Sequence, residues 1–416
     1  MNLLISSATI IDPNSPFHQQ KADILIEKGV ITKIAAGISS DYEVFDAGGM
    51  LVSPGFFDLN CNIGELGLET KEDLQTGTKA AAAGGFTGLA LMPNANPVHS
   101  KTEVEYLVNK AKGNLVDVYP LGTISQKREG KDMAEMYDMH LSGAKAFTDG
   151  NRPVQDAGLM ERALLYAQGF DGLVFSYPED TAIAGKAKVH EGEVSTMLGM
   201  KGIPALAEEL MVARDLYLAE YTGSPIHFST ISAKRSVDLI REAKKKGLNV
   251  TCDVAAHHLT LTDEALMGFD SQYKVKPPLR TQNDVDALIA GLNDDTIDAI
   301  VSQHTPHEVE FKDVEFEIAS YGMIALQTAY AIILGSGIAN DQIVQKMAIN
   351  PRKILNLDVP VIAEGNNANL IVLNNKAKWE FTKQNNQSKS YNSPFMGQTL
   401  TGKVMLTCNN NQVFKS

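Results

Sequence analysis

Cysteine is scarce in this sequence, with three residues in 416, at positions 61, 252 and 408. No two of them have the CxxC spacing of a metal site, and three thiols in so long a chain do not make a disulfide framework. Disulfides are rare in reducing compartments. The composition therefore predicts three buried free thiols.

The sequence also lacks an apolar run long enough to cross a bilayer. Its longest candidate, residues 325–339, contains Gln327 and Thr328, which favours a buried helix. Polar residues follow Met1–Ile5 where a signal peptide would have an apolar core and a cleavage site. We therefore expect no membrane segment, no signal peptide and a cytoplasmic location.

Basic residues are outnumbered, with 37 Lys and Arg against 50 Asp and Glu, so the formal net charge is -13. An acidic chain is a poor non-specific ligand for nucleic acid or anionic membranes, and neither is expected as a partner. With 44% hydrophobic residues, the chain has enough core for one large domain and a smaller one.

Short strand-like runs separated by turns fill residues 1–53 and return after residue 358. Between them, helical stretches alternate with short apolar runs, which is typical of βαβ units and a parallel sheet. The apolar runs are 56–59, 87–92, 116–121, 144–147, 172–175, 225–228, 249–254 and 299–301. The pattern predicts an α/β fold in which a (β/α)8 TIM barrel spans 54–358. Residues 1–53 and 359–416 are predicted to form one composite β-sandwich domain.

The stretch 54–62 reads Pro-Gly-Phe-Phe-Asp-Leu-Asn-Cys-Asn. In a strand, Asn60 and Asn62 would point to one face and Cys61 to the other, which is the geometry of a two-ligand metal site. The stretch resembles the first barrel strand of the amidohydrolase superfamily, and of dihydroorotases in particular. Their frame reads Pro-Gly-Phe-Ile-Asp-x-His-x-His, and its two histidines hold zinc.

Further motifs resemble dihydroorotases of the bacterial, multifunctional-complex type along nearly the whole chain. They occur in the family's order, at 71–73, 77–78, 80–87, 92–94, 152–154, 191–192, 203–209, 213–215, 257–259, 277–280, 306–307, 394–397 and 402–404. The resemblance implies a barrel enzyme that hydrolyses a cyclic amide with a zinc-bound hydroxide.

The resemblance also locates the family's metal-ligand positions in this chain. They fall on Asn60, Asn62, Asp149, Tyr177, Thr230 and Gln303. Amide, hydroxyl and phenol groups are poor zinc ligands beside imidazole and carboxylate, and one aspartate cannot hold two metals. Gln303 stands at the family's general base and cannot accept a proton from water as an aspartate does. We therefore expect neither zinc nor another cofactor, and no intact catalytic residue, with the six side chains converging on the volume of the family's metals.

The resemblance also implies that the family's substrate-binding residues are partly retained in this chain and partly replaced. Gly64 replaces the arginine that pairs with the substrate carboxylate in the family. Asn94 and His307 retain two other family contacts, and Lys276 replaces an asparagine and adds a cation. These three residues predict a vestigial site for a small anion.

Several alternatives concern single residues. Asn60 and Asn62 could bind a hard cation through their amide oxygens, although neutral oxygens alone bind divalent ions poorly. Cys61 could act as a nucleophile, but core packing is the favoured interpretation. Asp149 could form a metal-free acid-base pair with His304 or His227. The histidines at 227, 257, 258 and 304 are otherwise interpreted as structural.

Three functions remain open. The first is a metal-free, catalytically inactive dihydroorotase homologue of pyrimidine biosynthesis, a pseudoenzyme that acts as a structural or regulatory partner. Aspartate carbamoyltransferase is the partner that the resemblance implies, and a homo-oligomer is expected. The second is an active dihydroorotase, or a related cyclic-amide hydrolase, with a rearranged metal site. The third is a small-molecule sensor that uses Asn94, Lys276 and His307.

Overall fold

The computed structural model describes residues 1–95 and 97–416. Its strands are β1 (Leu3–Ile10), β2 (Lys21–Glu27), β3 (Val30–Ala35), β4 (Val44–Asp46), β5 (Leu51–Pro54), β6 (Phe56–Cys61), β7 (Phe86–Leu91), β8 (Asp117–Pro120), β9 (Val174–Ser176), β10 (Val189–His190), β11 (Gly202–Ile203), β12 (Ile226–Phe228), β13 (Val250–Ala255), β14 (Ala299–Val301), β15 (Leu370–Glu380), β16 (Thr399–Asn409) and β17 (Gln412–Lys415).

Helices follow most of the strands in the middle of the chain. They are α1 (Leu74–Ala83), α2 (Lys101–Ala111), α3 (Met136–Leu141), α4 (Ala157–Gln168), α5 (Thr181–Ala184), α6 (Glu193–Met197), α7 (Leu206–Thr222), α8 (Lys234–Lys245), α9 (Gln282–Asn293), α10 (Val309–Lys312), α11 (Ala329–Gly335), α12 (Asn340–Val344) and α13 (Asn350–Ile354). Among these described helices, none is both long and apolar enough to cross a membrane.

The central strands form a closed parallel barrel. β6 pairs with β7 and β7 with β8, while β9, β12, β13 and β14 pair in that order. Phe147 bridges Gly122 on one side and Val174 on the other, and Cys61 pairs with His304 to close the ring. The predicted α/β barrel is confirmed, and each of the eight apolar runs of the sequence supplies one barrel position.

Two apolar layers hold the barrel. One lies inside it and includes Phe57, Leu59, Phe175 and Val301, all of which are buried. The other lies between strands and helices, where Phe56 packs with residues of α1 and α11. Burying apolar side chains on both faces is what central strands of a parallel barrel require, so these strands read as nearly continuous apolar runs.

The two ends of the chain meet in one further sheet. Within the described residues its strand order is β17-β16-β15-β5-β1-β2-β3, and β4 pairs with β1. β5 lies between β1 and β15, parallel to the first and antiparallel to the second. This sheet has its own apolar cluster, which includes Ile5, Ile24 and Leu406. The domain boundaries at 53/54 and 358/359 stay a prediction.

Candidate functional site

A cavity of about 70 Å³ opens at the carboxyl ends of the barrel strands. Its walls come from the ends of β6, β7 and β14 and from the loops that follow the other strands. The lining residues are Asn60, Met92, Asn94, Gly150, Asn151, Tyr177, Lys276, Gln303, Thr305, Tyr321 and Gly322. Active sites of this barrel type lie at the same end, because the strand ends direct side chains from several loops to one place.

Asn60 and Thr230 contact each other directly. The Asn60 amide Nδ2 donates a hydrogen bond to Thr230 Oγ1 at 3.0 Å. The Thr230 backbone N–H in turn donates to Asp253 Oδ1 at 2.7 Å. Thr230 has a φ of +57°, and this contact with Asp253 stabilises that strained conformation. Two of the predicted positions are therefore joined by neutral groups that satisfy each other.

Asn62 is held by its neighbours rather than directed into the cavity. Its Nδ2 donates to Thr305 Oγ1 at 3.1 Å and to the His304 carbonyl at 3.2 Å. Its Oδ1 accepts a hydrogen bond from the Asn94 amide. Both ends of the Asn62 side chain are thereby used, which leaves it little capacity to bind a further group.

Asp149 does not contribute its carboxylate to the cavity. Of the six predicted positions only Asn60, Tyr177 and Gln303 line it, whereas Asn62, Asp149 and Thr230 do not, which corrects the expectation that all six converge there. Asp149 Oδ1 accepts the backbone N–H groups of Ile124 and Ser125, both at 2.9 Å, and Oδ2 accepts the Ser125 hydroxyl. Burial raises the pKa of Asp149, while these hydrogen bonds oppose the rise. The group is a structural clamp on the loop at 124–125.

Gly150, the next residue, is the one that lines the cavity. It falls on the second aspartate of the family's Phe-Ser-Asp-Asp-Gly run, of which Asp149 retains the first. Gly150 has a φ of +60°, and a Cβ added there would lie 1.9 Å from Asn94 Oδ1. The loop therefore has no room for an acidic side chain at this position unless Asn94 moves.

Tyr177 and Gln303 complete the set at the cavity. Burial raises the pKa of the Tyr177 phenol well above its ordinary value, so the group stays neutral. Its hydroxyl has no hydrogen-bond partner among the described residues. Gln303 Nε2 donates to the Lys276 carbonyl at 2.9 Å. Neither side chain offers the strongly donating atom that a metal site needs.

The predicted anion contacts are largely engaged with other groups. Lys276 Nζ lies 2.7 Å from Glu179 Oε1, so its positive charge is already compensated. His307 Nε2 lies 2.9 Å from the Tyr321 carbonyl, and burial lowers the pKa of His307 to about 4. Asn94 binds Asn62 and accepts the Asn151 N–H at 3.1 Å. Asn94 and Lys276 line the cavity and His307 does not, so the three residues do not form a free cationic receptor there.

The arginine position of the family is also sterically closed. A Cβ at Gly64 would lie 1.9 Å from the Leu68 carbonyl oxygen and 2.7 Å from that of Glu72. Backbone atoms cannot yield as a flexible side chain can. The backbone of the loop at 64–72 therefore occupies the space that a side chain at position 64 would need.

The barrel histidines pair with acids other than Asp149. His227 Nε2 lies 2.9 Å from Asp253 Oδ2, and His304 Nε2 lies 3.4 Å from Glu72 Oε2. The proposed pairing of Asp149 with either histidine is therefore wrong. His257 and His258 are buried with their rings 4.5 Å apart, and burial lowers the pKa of both.

Cys61 packs in the layer between strands and helices. Burial raises the pKa of its thiol well above the ordinary value. A buried, protonated thiol is a poor nucleophile, so the geometry favours the interpretation as core packing.

Sequence reasoning missed three acids near the cavity, Asp58, Asp253 and Glu179. Asp58 accepts the Ser302 backbone N–H at 3.0 Å, and burial raises its pKa to about 7. Two of these acids could have been found from the sequence. Asp58 lies two residues before Asn60, and Glu179 lies two residues after Tyr177, so each acid is near a predicted site position. The contact of Asp253 with Thr230 had no local signal, because Asp253 lies on β13 and Thr230 lies 23 residues earlier, in the loop after β12.

The donor set at the cavity does not fit zinc. The groups that line it are amides, one hydroxyl, two phenols, one thioether and one paired ammonium, whereas zinc sites use imidazole, thiolate and carboxylate. Over residues 1–95 and 97–416, no three His, Cys, Asp or Glu side chains are arranged to hold a metal ion.

Solved structures with the same architecture are amidohydrolase-type barrels. L-Hydantoinase from Arthrobacter aurescens is 22% identical, with a TM-score of 0.85 over 99% of this chain and 95% of that chain. A dihydropyrimidinase from Brevibacillus agri is 20% identical, with a TM-score of 0.82 over 99% and 95%. At these identities the likeness shows the fold alone, and the class that it defines is a TIM barrel with the fold of these hydantoinases and dihydropyrimidinases.

Sequence relatives narrow the class. A family model described as dihydro-orotase-like matches residues 49–236. A dihydroorotase from Geotalea daltonii is 44% identical over 98% of this chain and 97% of its own length. A dihydroorotase from Acetivibrio thermocellus is 42% identical over 99% and 98%. The chain belongs to the dihydroorotase family.

Proposed function

We propose that this chain is a metal-free, catalytically inactive member of the dihydroorotase family that serves pyrimidine biosynthesis as a structural or regulatory partner. The observation that carries the proposal is the chemistry of the cavity. Asn60, Thr230 and Gln303 stand where the family has zinc ligands and bind protein groups instead, and Asp149 faces away. Hydrolysis of a cyclic amide at neutral pH needs an activated water, and this set has no group to activate one.

Neutral replacements are consistent with a protein that has adapted to the loss of metal. Stripped zinc ligands would leave buried acids and imidazoles without partners, which costs free energy of folding. Here the Asn60–Thr230 and Asn62–Asn94 contacts satisfy three of the replacements, whereas the Tyr177 hydroxyl has no partner among the described residues. The closed loop at Gly64 and the paired Lys276 support the loss of substrate binding as well.

The second candidate is an active dihydroorotase or related cyclic-amide hydrolase with a rearranged site. The observation in its favour is the 44% identity to a protein named dihydroorotase over nearly the whole chain. The two candidates differ in metal content, because a rearranged site still requires a bound metal to activate water.

Two measurements on the purified chain separate these candidates. We expect less than stoichiometric zinc by elemental analysis after incubation with the metal, and no turnover of dihydroorotate with zinc supplied. Metal bound in stoichiometric amount, together with turnover that a chelator abolishes, would establish the active enzyme. The proposed partner, aspartate carbamoyltransferase, is tested separately by co-purification, and its absence would remove the partner without restoring catalysis.

A further inference from the structure

A segment at the rim of the barrel mouth exposes apolar side chains outside the cavity. This rim segment, residues 308–318, follows β14 and includes α10. The chain enters it from Thr305 and leaves it through Tyr321, and both of these residues line the cavity. Anything bound to the rim segment would therefore also lie beside the mouth.

Two buried lysines fix the course of the rim segment from beneath. Lys274 Nζ donates to the carbonyls of Phe316 at 2.6 Å and Glu317 at 2.9 Å. Lys312 Nζ donates to the carbonyls of Lys274 at 3.0 Å and Ser320 at 2.9 Å. The segment is thus held at the Lys312 ammonium and at the Phe316 and Glu317 carbonyls, and the chain after it is held at Ser320. Its course from 312 to 320 is therefore set by the fold rather than by a loose loop.

The side chains presented outward are strongly apolar. Val309 is 59% exposed, Phe311 48% and Ile318 71%. Met267 and Phe269, at 49% and 50%, lie on a neighbouring turn that is tied to the rim segment by a hydrogen bond from Ser271 to the Lys312 carbonyl. Exposed apolar residues that are grouped rather than scattered mark contact surfaces for other macromolecules.

Acidic groups surround these apolar side chains. The rim segment contains Glu308, Glu310, Asp313, Glu315 and Glu317, and its one basic residue, Lys312, is buried. Lys71 lies at the edge, 5.3 Å from the centre of the Phe311 ring. Nucleic acid and anionic lipid are repelled by such a surface. In a two-fold symmetric contact through this surface, a second copy of the chain would set these carboxylates against one another.

We propose that the rim segment docks a different protein, whose contact face is basic and carries apolar side chains. Apolar contacts at Val309, Phe311 and Ile318 supply the binding energy, and the surrounding carboxylates select the partner and speed its association. The inference rests on the proposed function, because a chain that works through its surface needs such a face. It deepens that function by assigning the surface and the chemistry of its partner.

The test is photo-crosslinking in the source cells with benzoylphenylalanine in place of Phe311. The matched control carries the same group in place of Tyr217, an aromatic residue on α7 that is 72% exposed. A charge variant combines the Phe311 replacement with Glu310→Gln, Glu315→Gln and Glu317→Gln. Thermal unfolding of each variant verifies that the fold is retained, since all of these side chains lie at the surface.

We expect one protein linked at position 311 through a peptide of net positive charge, and no such adduct at position 217. Removing three charges should lower the yield by about tenfold, as complementary charges at an interface do. No adduct at 311, an adduct with a second copy, an acidic linked peptide or a yield unchanged by the Gln substitutions would each overturn the proposal. Turnover of dihydroorotate by the same preparations would overturn the proposal that the chain is inactive and would leave the crosslinking result unchanged. Failure of the proposed function and failure of the docking proposal are therefore distinguishable.

Discussion

Replacing Asp253 with alanine removes the acid that organises the centre of the barrel. Asp253 is fully buried, and its Oδ2 lies 2.9 Å from His227 Nε2. Its Oδ1 accepts the Thr230 N–H at 2.7 Å and lies 3.2 Å from Thr230 Oγ1. Since Thr230 also accepts the Asn60 amide, the change reaches the cavity as well as the core.

The cost follows from the contacts that are lost. Each hydrogen bond to a charged group contributes about 1.5–3 kcal/mol, and the buried Thr230 N–H left without an acceptor costs about 1–3 kcal/mol more. Relief of the buried charge offsets part of this sum. Removing one member of a buried pair typically costs about 3–5 kcal/mol, and we expect the Asp253→Ala loss in the same range.

Urea unfolding followed by circular dichroism measures this loss. Asp253→Asn keeps an oxygen acceptor for Thr230, so its loss should be smaller than that of Asp253→Ala. The matched control is Asp238→Ala, which breaks a partly exposed pair with Arg241 at 2.8 Å and should cost about 0–1 kcal/mol. A loss for Asp253→Ala no larger than that for Asp238→Ala would refute the reasoning.

Three further predictions concern restoration and pH. Gln303→Asp restores the family's base but no metal-activated water, so we expect no turnover of dihydroorotate in an assay with added zinc. Gly64→Arg should lower the thermal midpoint without creating measurable affinity for dihydroorotate by calorimetry, because its Cβ would meet backbone oxygen at 1.9 Å. Stability should fall as the pH drops from about 6.5 towards 4, since the unfolded chain takes up protons on imidazoles that stay neutral in the fold. Burial lowers the pKa to about 4 for His190, His258 and His307. Burial lowers the pKa of His257 as well. The raised pKa of Asp58, about 7, and the raised pKa values of buried carboxyls such as Asp149 and Asp215 act in the opposite direction, so the His307→Gln comparison is the one that isolates an imidazole. Thermal midpoints at pH 7 and pH 5 measure the difference, which His307→Gln should reduce, and a higher midpoint at pH 5 would contradict the sign.

The barrel, and the weak donor chemistry of the side chains at the family's ligand positions, could be predicted from local features. Apolar runs of strand length alternate with helical stretches, and this alternation allows few folds other than a parallel barrel. The residue type at a ligand position also determines which donor atoms it can offer to a metal, and this is known from the sequence alone. Asn60, Thr230 and Gln303 could therefore be judged poor zinc ligands from the sequence.

The direction of each side chain was decided only by the tertiary structure. Asp149 and Gly150 are neighbours, yet the loop at 124–125 draws the carboxylate of Asp149 away and leaves Gly150 at the cavity. Sequence matching counted Asp149 as a surviving acid, because spacing along the chain does not report which N–H groups lie nearby in space.

Contacts between residues far apart in the chain could not be predicted from the sequence either. Lys276 appeared to offer a free cation, but Glu179, from another barrel loop, lies 2.7 Å from its ammonium. Asn392, in the polar segment at 384–393, is likewise buried and donates to the Thr305 carbonyl at 2.9 Å, a contact that links residues 87 positions apart. Residue types determined which donor groups this chain has at those positions. Long-range hydrogen bonds and ion pairs, which depend on distances that only the folded barrel creates, decided what the remaining polar groups do.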